Sequence, residues 1–240
     1  MSKSVVKKRP KVGNQLLDGL TSTAFAGVQP YLETVPLQIN EILQKPGERT
    51  KFAYFPTSGM ISVIATMADG ATVEVGLIGR EGMFNVSTVL GDETPTQKGI
   101  VQLSGSAVRI KTGHLLAAQR ANAELHARLL SYAQVQLVQA SQSAACNRLH
   151  QLELRCARWI LSAHDRAGSA TFTMTHEFLA MMLGVRRPGV TSVVKVLRES
   201  GVIGYRHGSI TVQDRDGLET AACECYRYVR DEANRILGAK

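Results

Sequence analysis

Two short amphipathic segments meet at a single glycine, Gly184. In the first segment Thr175 can cap the start of a helix, and Gly184 can end that helix by adopting a positive φ. The second segment begins near Arg186 or Arg187. Pro188 is compatible with that position because the amides of a first helical turn have no helical partner. The pattern predicts two helices that pack across a tight turn.

The second predicted helix has two faces of different chemistry. Aliphatic side chains at helical spacing would pack inward, at Val190, Val193, Val194 and Leu197. Polar and basic side chains would lie on or beside the outer face, at Arg187, Thr191, Ser192 and Lys195. Arginine can hydrogen-bond both acceptors of a guanine, and lysine neutralises phosphate. We therefore expect a helix-turn-helix that reads the major groove of double-stranded DNA, rather than an ordinary pair of packed helices.

A β-hairpin is predicted directly after Gly201. His207-Gly208 is a plausible tight turn between strands at 202–206 and 209–212. The hairpin would form a wing with its tip near the DNA backbone, and His207 is interpreted as a tip residue and not as a catalytic one. The candidate DNA-binding residues are Thr175, Arg186, Arg187, Thr191, Ser192, Lys195, Arg206 and His207.

The charge and hydropathy of the chain are compatible with this interpretation. The formal net charge is +8, and the basic residues are concentrated around the motif, which lowers the cost of approaching a polyanion. No apolar run approaches the roughly 20 residues of a membrane span. The basic N-terminus is not followed by the apolar stretch of a secretory signal. We therefore expect a cytoplasmic protein without a membrane partner.

The N-terminal half has the pattern of short strands. Residues 1–14 are polar, basic and aperiodic, so we expect them to be mobile, with a short helix around Gln15–Leu20. From about Val35 to Ile110, short apolar runs alternate with turn residues, which is typical of a sandwich or barrel. Asp69-Gly70 between two such runs predicts a hairpin with both central residues at positive φ.

A helical period follows from about Thr112 to Leu149, and it has two apolar stripes. One contains Leu125, Leu129 and Tyr132, the other contains Leu130 and Leu137, and small residues follow at Ala140, Ser141, Ala144 and Ala145. Two stripes need two partners. The partner of the first stripe could be the β-domain of the same chain. The partner of the second stripe could be the same helix of another subunit. The alternative is a helix buried inside a monomer. We favour a homodimer, because a two-fold reader needs two copies.

Two further helical stretches complete the chain. One runs from about Arg148 to Ala163, with Trp159 in the core of the C-terminal domain. The other is Leu218–Leu237, whose role the sequence does not assign. We expect its residues Tyr226, Val229 and Ala233 to pack on the winged domain.

The reactive side chains do not form a catalytic or metal-binding pattern. Cys223 and Cys225 form a C-x-C pair, but no second nearby pair completes a four-ligand site, so the four cysteines are interpreted as ordinary reduced thiols. The sequence has no convincing nucleophile–base set, P-loop or metal triad. We therefore predict no metal, and we do not expect an enzyme.

Several motifs together resemble those of a known family. They are Glu177-x-Leu179-Ala180-x-x-Leu183-Gly184-Val185-x-Arg187, Val193-x-x-x-Leu197, Pro46-Gly47-Glu48, Tyr54-Phe55-Pro56, Ser58-Gly59-Met60-Ile61 and Glu81-Gly82-Met83-Phe84. With them the chain resembles the Crp/Fnr family of bacterial transcription regulators over roughly residues 35–214. The resemblance implies an α+β fold, with an N-terminal cupin-like β-roll, a long dimerisation helix and a C-terminal winged helix-turn-helix domain.

The resemblance also divides the chain and implies partners. The expected parts are a basic tail with a short helix (1–30), a β-roll sensor-type domain (31–111), a long dimer helix (112–149), a winged-helix DNA-binding domain (150–214) and a C-terminal helical extension (215–240). RNA polymerase is an expected partner. Arg187 matches the guanine-reading arginine of the family, whereas Pro188 and Ser192 replace a glutamate and a second basic reader. The half-site should therefore differ from the commonest one of the family.

The ligand pocket that the resemblance implies is degenerate. Family members that bind cyclic AMP use a Gly-Glu pair for the ribose and an arginine for the cyclic phosphate. By position, Val86 and Ser87 replace the pair, Gln97 replaces the arginine, and Lys98 follows it. A neutral amide cannot replace a bidentate guanidinium, although Lys98 could compensate in part. We expect no tight binding of cyclic AMP, no cofactor and an unknown effector.

Two function classes compete at this point. The first is a homodimeric regulator that binds a near-palindromic DNA site. The second is a small-molecule-binding module whose winged helix mediates protein contacts. DNA binding that falls with salt distinguishes them, since only the first requires it.

Overall fold

The computed structural model describes residues 11–238, and its N-terminal half is one antiparallel sheet. The strands are β1 (Glu33–Leu37), β2 (Ile42–Gln44), β3 (Phe52–Thr66), β4 (Thr72–Ile78) and β5 (Lys98–Lys111). Their order is β1-β5-β3-β4, and β2 also pairs with β5. The apolar runs that the sequence presents at 52–55 and 60–67 belong to one long strand, β3, because bulges at Pro56/Ser58 and Ser58/Met60 let it continue.

The hairpin predicted at Asp69-Gly70 is present, but the predicted turn geometry is wrong. Gly70 has a φ of 85°, whereas Asp69 does not have a positive φ. The amide of Gly70 donates to the carbonyl of Met67 at 3.0 Å, and the amide of Met67 donates to the carbonyl of Ala71 at 2.8 Å. A five-residue loop therefore connects β3 and β4, and in such longer loops only the closing glycine needs the left-handed region.

Two short helices, α1 (Gln15–Asp18) and α2 (Ser22–Ala26), precede the sheet. The predicted mobility of residues 1–14 concerns mainly residues 1–10, which lie outside the described part of the chain. Asn14 is fully buried, and its side-chain amide donates to the carbonyls of Pro56 and Gly82 at 2.9 and 2.8 Å. The chain is therefore anchored where α1 begins.

The predicted single helix 112–149 is divided at Asn122. Helix α3 (Thr112–Ala121) ends there, and α4 (Ala123–Leu149) begins. Asn122 has an extended φ and ψ, and its side chain accepts the amide of Leu125 at 2.9 Å. This is an N-cap, which starts a new helix in a new direction. The helical period then stops at His150, so the stretch predicted from Arg148 begins as α5 at Leu152.

The C-terminal half combines helices with a small sheet. Its elements are α5 (Leu152–Ala167), β6 (Thr171–Thr173), α6 (His176–Leu183), α7 (Arg187–Glu199), β7 (Ile203–Arg206), β8 (Ser209–Val212), α8 (Arg215–Ala221) and α9 (Cys225–Leu237). The sheet order is β6-β8-β7. No helix of the described residues is long and apolar enough to cross a membrane.

The two halves pack directly on one another. Apolar residues of the β-domain, including Met60 and Leu77, belong to the same buried cluster as Trp159 and the helices α6 and α7. The indole of Trp159 donates to a carboxylate oxygen of Glu74 at 2.8 Å. Arg166 of α5 forms an ion pair with Glu81 at 2.8 Å. The helix-turn-helix is thus held in a defined orientation against the sheet.

Only part of helix α9 packs on the winged domain, where the sequence predicted the whole helix to pack. Tyr226 joins the core of the C-terminal domain, as predicted. Ala233 packs instead with Ile236 and Leu237 against the cluster formed by the β-domain and α4. The amphipathic period of α9 shows that it is a surface helix, but it does not show which domain will cover each turn.

Candidate nucleic-acid interface

The first helix of the motif begins and ends as its sequence predicts. The hydroxyl of Thr175 accepts the amide of Phe178 at 3.1 Å, which caps α6. Gly184 ends the helix with a φ of 64°, and the amide of Val185 donates to the carbonyl of Ala180 at 3.0 Å. These bonds satisfy backbone groups that a helix end leaves unpaired. The turn is therefore set by local chemistry.

Helix α7 begins at Arg187, with Pro188 in its first turn. Val190, Val194 and Leu197 are buried against α5 and α6, and Val193 is partly buried beside them. The buried guanidinium of Arg155 in α5 donates to the carbonyl of Leu183 at 2.6 Å. The helix-turn-helix is thus supported on its buried face by an apolar core and by the charged hydrogen bond of Arg155.

The predicted contact residues are all exposed. They are Thr175, Arg186, Arg187, Thr191, Ser192, Lys195, Arg206 and His207. The Thr191 and Ser192 hydroxyls bond to carbonyls one turn earlier, those of Arg187 and Pro188, at 3.1 and 3.2 Å. Lys195 lies 3.8 Å from Glu199 in an exposed pair, which is worth little and is easily exchanged for another anion.

Arg187, like Arg186 and Arg206, is an exposed cation of this surface. Among the residues that the structure describes, its guanidinium has no hydrogen-bond or ion-pair partner. Its position in the first turn of α7 is the part of a recognition helix that commonly reaches base edges. Five N–H donors in a planar fork are therefore available to a ligand.

Two residues that sequence reasoning missed position Thr191. The His176 ring stacks on Tyr205 of β7, with centroids 4.3 Å apart. Its Nδ1 lies 3.0 Å from the Thr191 hydroxyl, which is also 3.1 Å from the carbonyl of Arg187. Partial burial and the nearby Arg187 lower the pKa of His176. A neutral ring suits this bond, and no sequence motif marks the contact because it joins α6, α7 and the wing.

The predicted wing is present between β7 and β8. His207 and Gly208 both have positive φ, 48° and 75°, and they form the two-residue turn that Arg206 and Ser209 close as a register pair. The amide of Met174 donates to the carbonyl of Gly208 at 2.6 Å. The tip therefore lies beside Thr175, at the start of α6.

The degenerate ligand pocket is brought together only in part. A cavity of about 90 Å³ is lined by Val86, Ser87 and Gln97, and also by Gln136 of α4. Lys98 does not line it. No arginine is among its lining residues, and its volume is well below the roughly 300 Å³ at which small-molecule pockets begin.

One premise of the cysteine interpretation is wrong, namely that no second pair of possible ligands lies near Cys223 and Cys225. The sequence pattern offered no partner for Cys223 and Cys225, but the fold places Cys146 and His150 beside them. The two pairs lie more than 70 residues apart in the sequence. Only the return of α9 along α4 brings them together, so spacing alone could not reveal the group.

Comparison with known proteins agrees with this arrangement. Residues 34–122 match the model of the cyclic nucleotide-binding domain, and residues 154–221 match that of the Crp-like helix-turn-helix domain. The chain is 24% identical over 199 residues to transcriptional regulator SdrP of Thermus thermophilus. That match covers 79% of this chain and 94% of SdrP.

Solved structures share the fold. FixK2 of Bradyrhizobium japonicum superposes with a TM-score of 0.69 at 15% identity, over 80% of this chain and 98% of FixK2. TTHA1359, a CRP/FNR-family transcriptional regulator of Thermus thermophilus, superposes with a TM-score of 0.63 at 22% identity, over 79% and 98% of the two chains. With its cyclic nucleotide-binding domain, its Crp-like DNA-binding domain and the helix between them, this chain belongs to the Crp/Fnr family of transcription regulators.

Proposed function

We propose that the protein acts as a homodimer and binds a near-palindromic DNA site, with α7 in the major groove of each half-site. The observation that carries this proposal is the exposed face of α7, where Arg187, without a partner among the described residues, lies beside Thr191. Arg187 would read a guanine, while Lys195 and Arg206 would contact phosphates. Thr175 and His207 would contact the backbone from the start of α6 and the tip of the wing.

The outer stripe of α4 supports the homodimer. Leu130 and Leu137 are 39% and 60% exposed. The small residues Ala140, Ser141, Ala144 and Ala145 are not buried either, so a second helix could approach closely. An apolar stripe on a long helix is unfavourable in water and is typical of an interface. Pairing of α4 with its symmetry mate would give two recognition helices related by a two-fold axis.

The direct test of DNA binding is a gel-shift titration of a randomised double-stranded pool at increasing salt. We expect binding that weakens steeply as salt rises, because contacts with phosphates release counterions. Each phosphate that the protein neutralises adds about 0.9 to the steepness of the logarithmic salt dependence. Absence of salt-sensitive binding would instead favour the alternative, a small-molecule-binding module whose winged helix contacts proteins.

We further propose that cyclic AMP is not a tight ligand. The cavity near Val86 and Gln97 is small, and a cyclic phosphate would meet an amide where a guanidinium is needed. Calorimetric titration should give no dissociation constant in the micromolar range or below. A dissociation constant for cyclic AMP in the micromolar range or below would contradict this part of the proposal and leave the DNA-binding part intact.

A signal could act by changing populations of domain arrangements. Any ligand that prefers one arrangement of α4 and the winged domain would shift the spacing of the two recognition helices. By family resemblance, RNA polymerase would be the protein partner at a promoter, and the cytoplasm would be the place of action. We propose no enzymatic activity.

A further inference from the structure

Four side chains with metal-binding atoms meet where α4 ends and α9 begins. Cys146 and His150 are one helical turn apart at the end of α4, and Cys223 and Cys225 lie on either side of Glu224. Their sulfur and ring nitrogen atoms all lie within 4.8 Å of one another. The set is formed by two short sequence pairs, C-x3-H and C-x-C, from distant parts of the chain.

The separations match the edges of a small tetrahedron. Cys146 Sγ lies 3.5 Å from Cys223 Sγ, and Cys225 Sγ lies 3.5 Å from His150 Nδ1. Bonds of about 2.3 Å to sulfur and about 2.0 Å to nitrogen give edges of about 3.8 Å between sulfurs and about 3.5 Å between sulfur and nitrogen. A disulfide would require about 2.05 Å. The two measured separations are therefore close to such edges, and the sulfurs of Cys146 and Cys223 are too far apart for a disulfide.

The surroundings of the four groups are also those of a closed metal site. The three cysteines are buried, with exposures of 0%, 4% and 0%. His150 Nε2 lies 3.3 Å from a carboxylate oxygen of Glu224. A proton on Nε2 would face this carboxylate and leave the Nδ1 lone pair available to a metal. The side-chain amide of Gln142 donates to Cys225 Sγ at 3.1 Å.

We propose that Cys146, His150, Cys223 and Cys225 bind one zinc ion per chain. Three thiolates and one imidazole in a closed tetrahedral set are typical of structural zinc sites. Soft sulfur ligands and the absence of a carboxylate among the four disfavour magnesium and calcium. The fourth position is occupied by protein, so the site would be structural and not catalytic.

The ion would fasten α9 at the junction of the two domains. His150 directly precedes Gln151, the residue at which the chain passes from α4 to α5, and Cys146 lies one helical turn earlier. Beyond the site, α9 runs back along α4, and the carbonyl of Leu237 accepts from Arg128 Nη1 at 3.1 Å. Zinc would therefore couple the position of the winged domain to α4, the helix that we expect to form the dimer. Loss of the ion should loosen this connection.

The first measurement is the metal content of the purified full chain, followed by removal with a chelator under reducing conditions and titration with zinc or cobalt(II). We expect one zinc per chain, and one cobalt with the thiolate charge-transfer and tetrahedral bands of a sulfur-rich site. Wild-type protein that takes up neither ion would overturn the proposal. More than one iron per chain with a cluster chromophore, or a Cys146–Cys223 disulfide in reducing buffer, would also overturn it.

Variants separate this site from general effects on folding. Cys223→Ala should abolish stoichiometric zinc binding, whereas Cys156→Ala, at a buried cysteine outside the group, should retain one zinc per chain. Glu224→Gln should still fold and should bind zinc on the order of 10-fold more weakly. Equal zinc content in the Cys223 and Cys156 variants would contradict the assignment. Because metal content is read without DNA, failure here and failure of DNA binding remain distinguishable.

Discussion

At the scale of single residues, the cations of the proposed DNA-binding surface differ in the contacts that they can make. Arg187 offers a planar fork of donors, whereas Lys195 is a point charge beside Glu199. A fork can match the two acceptors of one base, but a point charge interacts with phosphate in any sequence. The two residues should therefore differ in what they contribute, even though both are exposed and positive.

Replacement of Lys195 by alanine should weaken binding to all sequences alike. We expect the slope of log affinity against log salt to become shallower by about 1 for each half-site, because one phosphate is no longer neutralised there. Arg120→Ala, which removes an exposed cation from α3 in the other domain, is the matched control and should leave the slope unchanged. Equal effects of the two substitutions would show that Lys195 acts only through net charge.

Glu74 is a titratable group in the contact between the domains. Its carboxylate accepts from Ser62 at 2.7 Å and from Trp159 at 2.8 Å. Burial raises the pKa of Glu74 to about 7, although Arg158 and Arg166 favour the charged form. Because the folded protein holds this proton more tightly than the unfolded chain, the stabilisation is complete below about pH 4.5 and is lost as pH rises through about 7.

Glu74→Gln should remove this part of the pH dependence. We expect the free energy of unfolding of the wild type to fall relative to that of the variant between about pH 5 and pH 8. Urea titrations of both proteins across this range provide the measurement. Parallel curves would mean that the pKa of Glu74 is the same in the folded and unfolded states.

At the scale of elements, α4 has one face for its own chain and one that the chain leaves open. Leu125, Leu129 and Tyr132 are buried, while Leu130 and Leu137 are not. The two stripes of the sequence are thus in different environments, as the helical period predicts. The second stripe is the strongest candidate for the contact between subunits.

Leu137→Glu should therefore produce monomers. A buried carboxylate opposite its symmetry mate is costly, since both desolvation and like charge oppose it. Sedimentation velocity at low micromolar concentration would show the change of mass. Ile39→Glu, at an exposed apolar residue between β1 and β2, serves as the control and should remain dimeric. A dimeric Leu137 variant would move the interface to another surface.

The elements also show why some features could be predicted from the sequence and others could not. Helices α6 and α7 follow from local rules, because a capping threonine, a closing glycine and a first-turn proline act within a few residues. Asn122 carries an equally local capping signal, but the continuous apolar period around it concealed the break. The backbone geometry of the turn at Gly70 differs from the prediction because the length of the loop, and not the Asp-Gly dipeptide alone, determines that geometry.

Contacts between segments that are far apart in the sequence could be identified only from the structure. The contact between Trp159 and Glu74 and the return of α9 along α4 depend on how the domains pack, and the placement of His176 against Thr191 depends on how α6 and α7 pack. Sequence periodicity identifies a surface that will be buried, but it does not identify its partner. The group of Cys146, His150, Cys223 and Cys225 is the clearest case. Neither C-x3-H nor C-x-C predicts a metal site alone, and the four side chains meet only because α9 packs along α4.

At the scale of the whole molecule, the ends of the described chain connect the domains. Arg128 of α4 donates to the carbonyls of Leu16 in α1 and Leu237 in α9, at 3.2 and 3.1 Å. Tyr226, near the other end of α9, donates to Asp165 of α5 at 2.8 Å. Helix α9 therefore spans the β-domain and the winged domain, beside the ion pair of Glu81 and Arg166.

Arg128→Ala should release the far end of α9 without unfolding the winged domain. Removal of charged hydrogen bonds of this kind costs roughly 1–3 kcal/mol, and the loss should be local. Hydrogen exchange should become faster in the last turns of α9 and in α1, but not in α7. Unchanged exchange in α9 would show that its apolar contacts alone hold it.

The central claim is that α7 reads bases through Arg187, and selection of bound DNA from a random library tests it most directly. The wild type should select an inverted repeat with half-site centres about 34–36 Å apart. Arg187→Lys should retain salt-sensitive binding but lose preference at one base pair in each half-site, at a cost of about 1–3 kcal/mol on the selected site. Recovery of the same sequence preference by both proteins would contradict the account.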